Sequence, residues 1–228
     1  IAELQGVVSS ALEAARRAGA TQAEADASLQ QGLTVNVRLG AVDTIEYQRD
    51  RGLGITVYVG RRKGSASTAD LSPAAVVAMV GKPVSIASFT AEDPYAGLAD
   101  PQALAGDIPD LDLDHPWAIE PAAAVELAQR CEAAGRDVDP RITNSEGATV
   151  YSYESTDVYG NSHGFLGATA TTRHGISCAV IGQDDSGMQR DYWYTAARDR
   201  ADLEAAAAVG KKAAERSVRR LGGRKLST

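Results

Sequence analysis

Apolar residues recur at two different spacings along this chain, and the changes of spacing mark its elements. Between residues 3 and 18, Leu4, Val7, Val8, Ala11, Leu12 and Ala15 fall at helical intervals. Gly19 follows where a helix C-terminal cap is expected. The pattern then turns to period two. "AEADASLQQ", "LTVNVRLG", "AVDTIEYQRD", "GLGITVYVG" and "RKGSASTAD" alternate apolar with polar or small residues, separated by glycine or charge. That predicts an antiparallel meander. "LSPAAVVAMV" restarts a helix, with Ser72 as N-cap and Pro73 as its first residue. Pro83 is expected to end or kink it.

Residues 90–117 are rich in Asp and Pro and read as a long ordered connection. The scheme then repeats. "IEPAAAVELAQRCEAAG" is helical, with Pro121 in its first turn and Gly135 at its end. "RITNSEGATVYSYESTDVYG", "GFLGATATTRHGISCAVIG" and "MQRDYWYTAARD" are strand-like, and "ADLEAAAAVGKKAAERSVRRLG" closes with a helix. Helix, meander, helix thus occurs twice, predicting units at 1–90 and 118–222 joined by an irregular 91–117 connection. The class is α+β, with two antiparallel sheets and flanking helices.

Composition narrows the setting. Of 228 residues 44% are hydrophobic, and the formal net charge is -7. That balance works against nucleic acid as a partner, which needs clustered Lys and Arg. The one basic cluster, "KKAAERSVRRLGGRK", reads as a solvated helix face. No apolar run approaches the ~20 residues of a membrane-spanning helix, so no membrane is expected. The N-terminal stretch has no basic head and reads as a helix, not a signal peptide. Two distant cysteines, Cys131 and Cys178, offer no disulfide framework and point to a reducing cytoplasm.

The candidate chemistry is sparse. "DRGLGITVYVGRRKGSASTAD" has the glycines and hydroxyls of a phosphate loop, but Lys63 precedes Gly64 and a β-branched strand follows Gly54. A phosphate loop needs a helix there. Gly52 and Gly54 suit a bulge or a close backbone approach instead. The small strand "GSAST" suits either an extended peptide or tight packing under a helix. His115, His163 and His174 lack metal-ligand spacing. Cys178 lies four residues after His174, open to a Cys–His dyad or to an inert core role. "DIPDLDLD" and "QDDSG" lack the spacing of a calcium loop. No catalytic residue and no metal ligand is expected.

"DRGLGITVYVGRRKGSASTADLSP" followed by "FTAEDPYAGLAD" resembles the TldD/PmbA family, specifically its PmbA (TldE) branch. "PDLDLDHP", "RITNSEG", "GNSHGF", "TTRHGIS", "MQRDYWYT" and "RKLST" follow in family order. "VGKPVSIASFT" departs from the family's usual helix. The resemblance implies the N-terminal domain of a longer protein, about half of it. It implies the non-catalytic subunit of a TldD–TldE zinc metalloprotease that trims or degrades unfolded peptides. The zinc would belong to a TldD-like catalytic partner, with no cofactor in this chain. An older family description, modulator of DNA gyrase, implies a protein-contact role instead, and self-association as a homodimeric scaffold is the third reading. Under the protease reading, "GNSHGFLGATATTRHGIS" is the candidate peptide surface. Asn161, His163, Arg173 and His174 are its donors, with local turn and ion-pair roles as the alternative.

Overall fold

The structure is a computed structural model, and it describes residues 1–106 and 108–223. The "RKLST" stretch lies outside the described residues. Its order is α1 (Ala2–Arg17), β1 (Gln22–Arg38), β2 (Ala41–Val59), β3 (Arg62–Thr68) and α2 (Pro73–Phe89). After an irregular stretch with one 3₁₀ turn follow α3 (Pro121–Arg136), β4 (Ile142–Asn161), β5 (Leu166–Asp184), β6 (Gly187–Ala197) and α4 (Ala206–Arg219). The class is α+β. The strands form one six-stranded sheet in the order β3-β2-β1-β4-β5-β6, where the sequence pattern predicted two. The reason is strand length. The five short strands expected first fuse into β1, β2 and β3, and β1 then has enough length to run antiparallel beside β4. Ser162 N donates to Ala23 O near one end, and Arg38 Nε donates to Ser145 O near the other.

Contacts divide the chain into two units, the first made of Ile1–Gln30, Arg49–Asp112 and Ser155–Ala170. The second comprises Gln31–Gln48, Leu113–Glu154 and Thr171–Thr228. The divide crosses the long strands. In the first unit α1 buries Leu4, Val8, Ala11 and Ala15, the periodic positions, and stops at Gly19 with φ 96°. Its core joins these to Leu53, Ile55 and Val57 of β2 and to Val76 and Val80 of α2. Pro83 does not end α2, which continues to Phe89. The ring is buried there, and a Cβ on Gly64 of β3 would overlap the Pro83 carbonyl. The "GSAST" strand is small because a helix lies on it.

In the second unit α3 and α4 meet through Gly135 and Gly210, where a Cβ on Gly210 would overlap the Cys131 carbonyl. They cover Leu33, Val35, Val37, Val150, Ile176 and Val180. Leu39 (φ 52°) and Gly40 (φ 79°) make the β1–β2 turn in left-handed conformations. The buried Glu132 of α3 holds it, its carboxylate accepting from Leu39 N at 2.8 Å and Gly40 N at 2.7 Å. The C-terminal basic cluster is not simply a solvated face. Arg216 and Arg220 reach the buried Asp191 of β6, and Lys212 and Arg216 lie over the Trp193 ring. Among the described residues no helix is long and apolar enough to cross a membrane.

Candidate functional site

Period two puts Arg173 and His174 on opposite faces of β5. His174 is fully buried. Its Nε2 lies 2.9 Å from the His115 carbonyl, which can only accept, so Nε2 carries the proton. Nδ1 lies 3.0 Å from Ser152 Oγ, and the Trp117 ring meets the imidazole edge-on at 5.4 Å. Thr172 fixes the same strap, its N–H donating to Leu113 O and its Oγ1 accepting from His115 N. His174 therefore pins residues 113–117 to β5 and presents nothing to a peptide. Arg173 is exposed, and its partner is the Tyr151 phenol, whose hydrogen bond pushes the guanidinium pKa up.

Asn161 and His163 lie together in the β4–β5 turn. The Asn161 side-chain oxygen accepts from His163 N at 3.0 Å and Phe165 N at 3.4 Å, and Gly164 takes φ 94°. This is an Asx-type closure, the local role short polar side chains take in turns. His163 Nε2 lies 3.4 Å from Gln22 Nε2. Two buried nitrogens here, Asn161 Nδ2 and His163 Nδ1, have no hydrogen-bond partner.

Side chains not singled out in the sequence form the open face of the second unit. The residues alternating with its core positions carry phenols and hydroxyls. Tyr151 and Tyr153 pack at 5.7 Å, and their rings lie against Gly175 and Gly32, where any Cβ would overlap them. Tyr153 OH lies 2.6 Å from Thr34 Oγ1. Tyr192 and Tyr194 stack at 6.4 Å and are about half exposed. The signal was present as "YSY" and "YWY", tyrosines in one strand phase. In the first unit Glu24 accepts from Tyr58 OH and Tyr159 OH, both at 2.9 Å. Burial, then that hydrogen bond, pushes the Tyr58 phenol up to about 12.

Cys131 and Cys178 are both free and buried. Contact with Cys131, and then burial, pushes the Cys178 thiol far up, so it stays protonated and unreactive. Among the described residues no group of three or more His, Cys, Asp and Glu is placed to hold a metal ion. The zinc implied by resemblance is assigned to a catalytic partner, and the described residues offer it no ligand set.

A family model described as PmbA/TldA metallopeptidase domain 1 matches residues 23–87, and one described as its central domain matches 114–221. The chain is similar to Metalloprotease PmbA of Escherichia coli O157:H7, 46% identical over 225 residues, covering 99% of this chain and 50% of that protein. It is 42% identical to the Metalloprotease PmbA homolog of Haemophilus influenzae over 226 residues, again 99% and 50%. The chain thus spans about half the length of the curated relatives it matches. A Bacteroides thetaiotaomicron structure named for modulation of DNA gyrase matches with TM-score 0.89 at 24% identity, covering 97% of this chain and 51% of that one. TldE from Thermococcus kodakarensis matches with TM-score 0.75 at 15% identity, covering 93% and 47%. At those identities the two structures speak for the fold alone. With both family models matched in order and nearly half of all positions shared with a curated relative, this chain belongs to the TldD/PmbA metallopeptidase family.

Proposed function

We propose that this chain is the N-terminal part of a non-catalytic, PmbA/TldE-like subunit. In this reading it works with a TldD-like zinc-bearing partner in the cytoplasm and receives unfolded peptide for cleavage. The observation that carries it is the open tyrosine face of the second unit. Tyrosines offer large, rigid, amphipathic contact area at low entropic cost, and neighbouring Thr and Ser offer adaptable hydrogen bonds. Such a surface tolerates varied side chains, as a peptidase that accepts unfolded substrates requires. Arg173 supplies the fixed charge, able to grip a peptide carboxylate through two N–H groups.

The test uses the full-length subunit assembled with its catalytic partner. Arg173→Ala is expected to raise the KM for peptide cleavage by about tenfold while assembly is unchanged. Unchanged kinetics in an intact complex would sink this reading of the face. His174→Ala is the wrong probe, because it would loosen the 113–117 strap first.

A further inference from the structure

We propose that the open face of the first unit carries a pocket for one cationic side chain, the lysine or arginine of an extended peptide. Asp26 of β1 and Asp157 and Tyr159 of β4 alternate with the buried Ala25, Ala27 and Val158, so all three face away from the core. With Phe165 of the β4–β5 turn, Gly167 of β5 and Ile108 of the irregular stretch, they line a cavity of about 210 Å³. That is below the roughly 300–1,000 Å³ of an ordinary small-molecule site and suits a single side chain.

The walls suit an apolar stem. The Tyr159 and Phe165 rings stand 5.9 Å apart, tilted by 49°. Glu24 holds Tyr159 in place, accepting from its hydroxyl at 2.9 Å. Gly167 keeps the floor bare, since a Cβ there would lie 2.8 Å from Ile108 Cδ1 and 2.9 Å from the Phe165 ring.

Charge then selects the head group. The lining holds two carboxylates and no Lys or Arg. Asp157 accepts from Ser155 Oγ at 2.7 Å. Among the described residues neither Asp157 nor Asp26 is in an ion pair, although Arg51 borders a neighbouring groove together with Asp26. An anion would be repelled by both carboxylates, and by Glu24 behind Tyr159. A metal ion finds no group of three ligands among the described residues. Lysine and arginine meet both demands. Their methylene stems lie along apolar surface, and their cations are attracted to Tyr and Phe rings within about 6 Å.

The inference rests on the reading that the chain handles unfolded peptide, and its test is separate from the cleavage assay. A capped alanine pentapeptide with one central lysine is titrated against the 228-residue chain, beside the same peptide with norleucine at its centre. The ring resonances of Tyr159 and Phe165 report occupancy by NMR. The lysine peptide is expected to bind saturably and about tenfold more tightly than the norleucine peptide, with the difference shrinking at high salt. Asp26→Asn combined with Asp157→Asn changes two exposed side chains. It is expected to keep the circular dichroism of the unchanged chain and to erase the preference for lysine. Equal binding of the two peptides to the unchanged chain overturns the proposal, whether or not the double variant folds. So does an undiminished preference for lysine in a folded double variant. Binding of n-butylammonium without binding of the lysine peptide overturns it too, since the pocket then takes a free amine. These results leave the protease-subunit reading standing, because that depends on the Arg173→Ala kinetics.

Discussion

One strand, β2, behaves in two ways along its length. Over residues 53–57 it alternates cleanly: Leu53, Ile55 and Val57 are buried, and β3 lies alongside. Over residues 41–48 every position is exposed, and the apolar residues Val42, Ile45 and Tyr47 no longer keep one phase. Burial on one face enforces period two, because a one-residue slip would turn every core side chain outward. Where no element covers the strand that constraint disappears, and apolar side chains fall on both faces. Loss of phase in a stretch that still forms a strand is thus the sequence trace of a strand left uncovered on both faces.

The comparison breaks most easily at its covered end. Gly64→Val would drive a branched side chain into the Pro83 carbonyl and the Ala87 N–H of α2. We expect a loss of about 3 kcal/mol by urea unfolding. An unchanged midpoint would mean that α2 does not pack closely on this face of β3.

A titration sharpens the same end. Tyr58 sits in the covered half with its phenol held neutral up to about 12 by burial and by Glu24. Its raised value means that the stabilisation is complete below pH ~10, where an unfolded tyrosine is also neutral. It is lost as pH rises from there through about 12, as the unfolded phenol ionises first. Ultraviolet titration of the phenolates should show a late step, to which Tyr159, also raised by burial and bonded to Glu24, contributes, and Glu24→Gln should bring it earlier. An unmoved step would remove Glu24 from the explanation.

The smallest effect belongs to the bare half. Tyr47→Ser deletes the most exposed of its apolar side chains, and thermal unfolding should shift by no more than the equivalent of about 0.5 kcal/mol. A larger loss would reveal that the edge is already covered in solution.

The candidate site was only partly legible. A local turn around His163 was legible as the alternative to a peptide role, but Asn161 is the residue that closes it, and Arg173 meets the Tyr151 phenol where an Asp was expected. His174 shares that stretch and that polarity, yet it lies in the core, because a strap from residues 113–117 brings a carbonyl and an indole to meet it. Nothing near His174 in sequence announces them. The tyrosine face was missed for a related reason. Tyr151 and Tyr153 gain their platform from Gly175 and Gly32, which are glycines on neighbouring strands.

The sequence by itself determined the local elements: four helices at the 3.6-residue period, strands at period two, the stop at Gly19, and the α+β class. Those features depend on backbone sterics and on residues a turn or a pleat apart. Only the tertiary structure decided that five short strands are three, that two sheets are one, that Pro83 stays inside its helix and that Gly32 and Gly54 sit mid-strand. It alone decided which edge is covered. Each of these turns on what another part of the chain places across the gap. Gly64 is required by Pro83 and Gly32 by Ser152 and Tyr153, and a contact of that kind leaves no period in the chain around it.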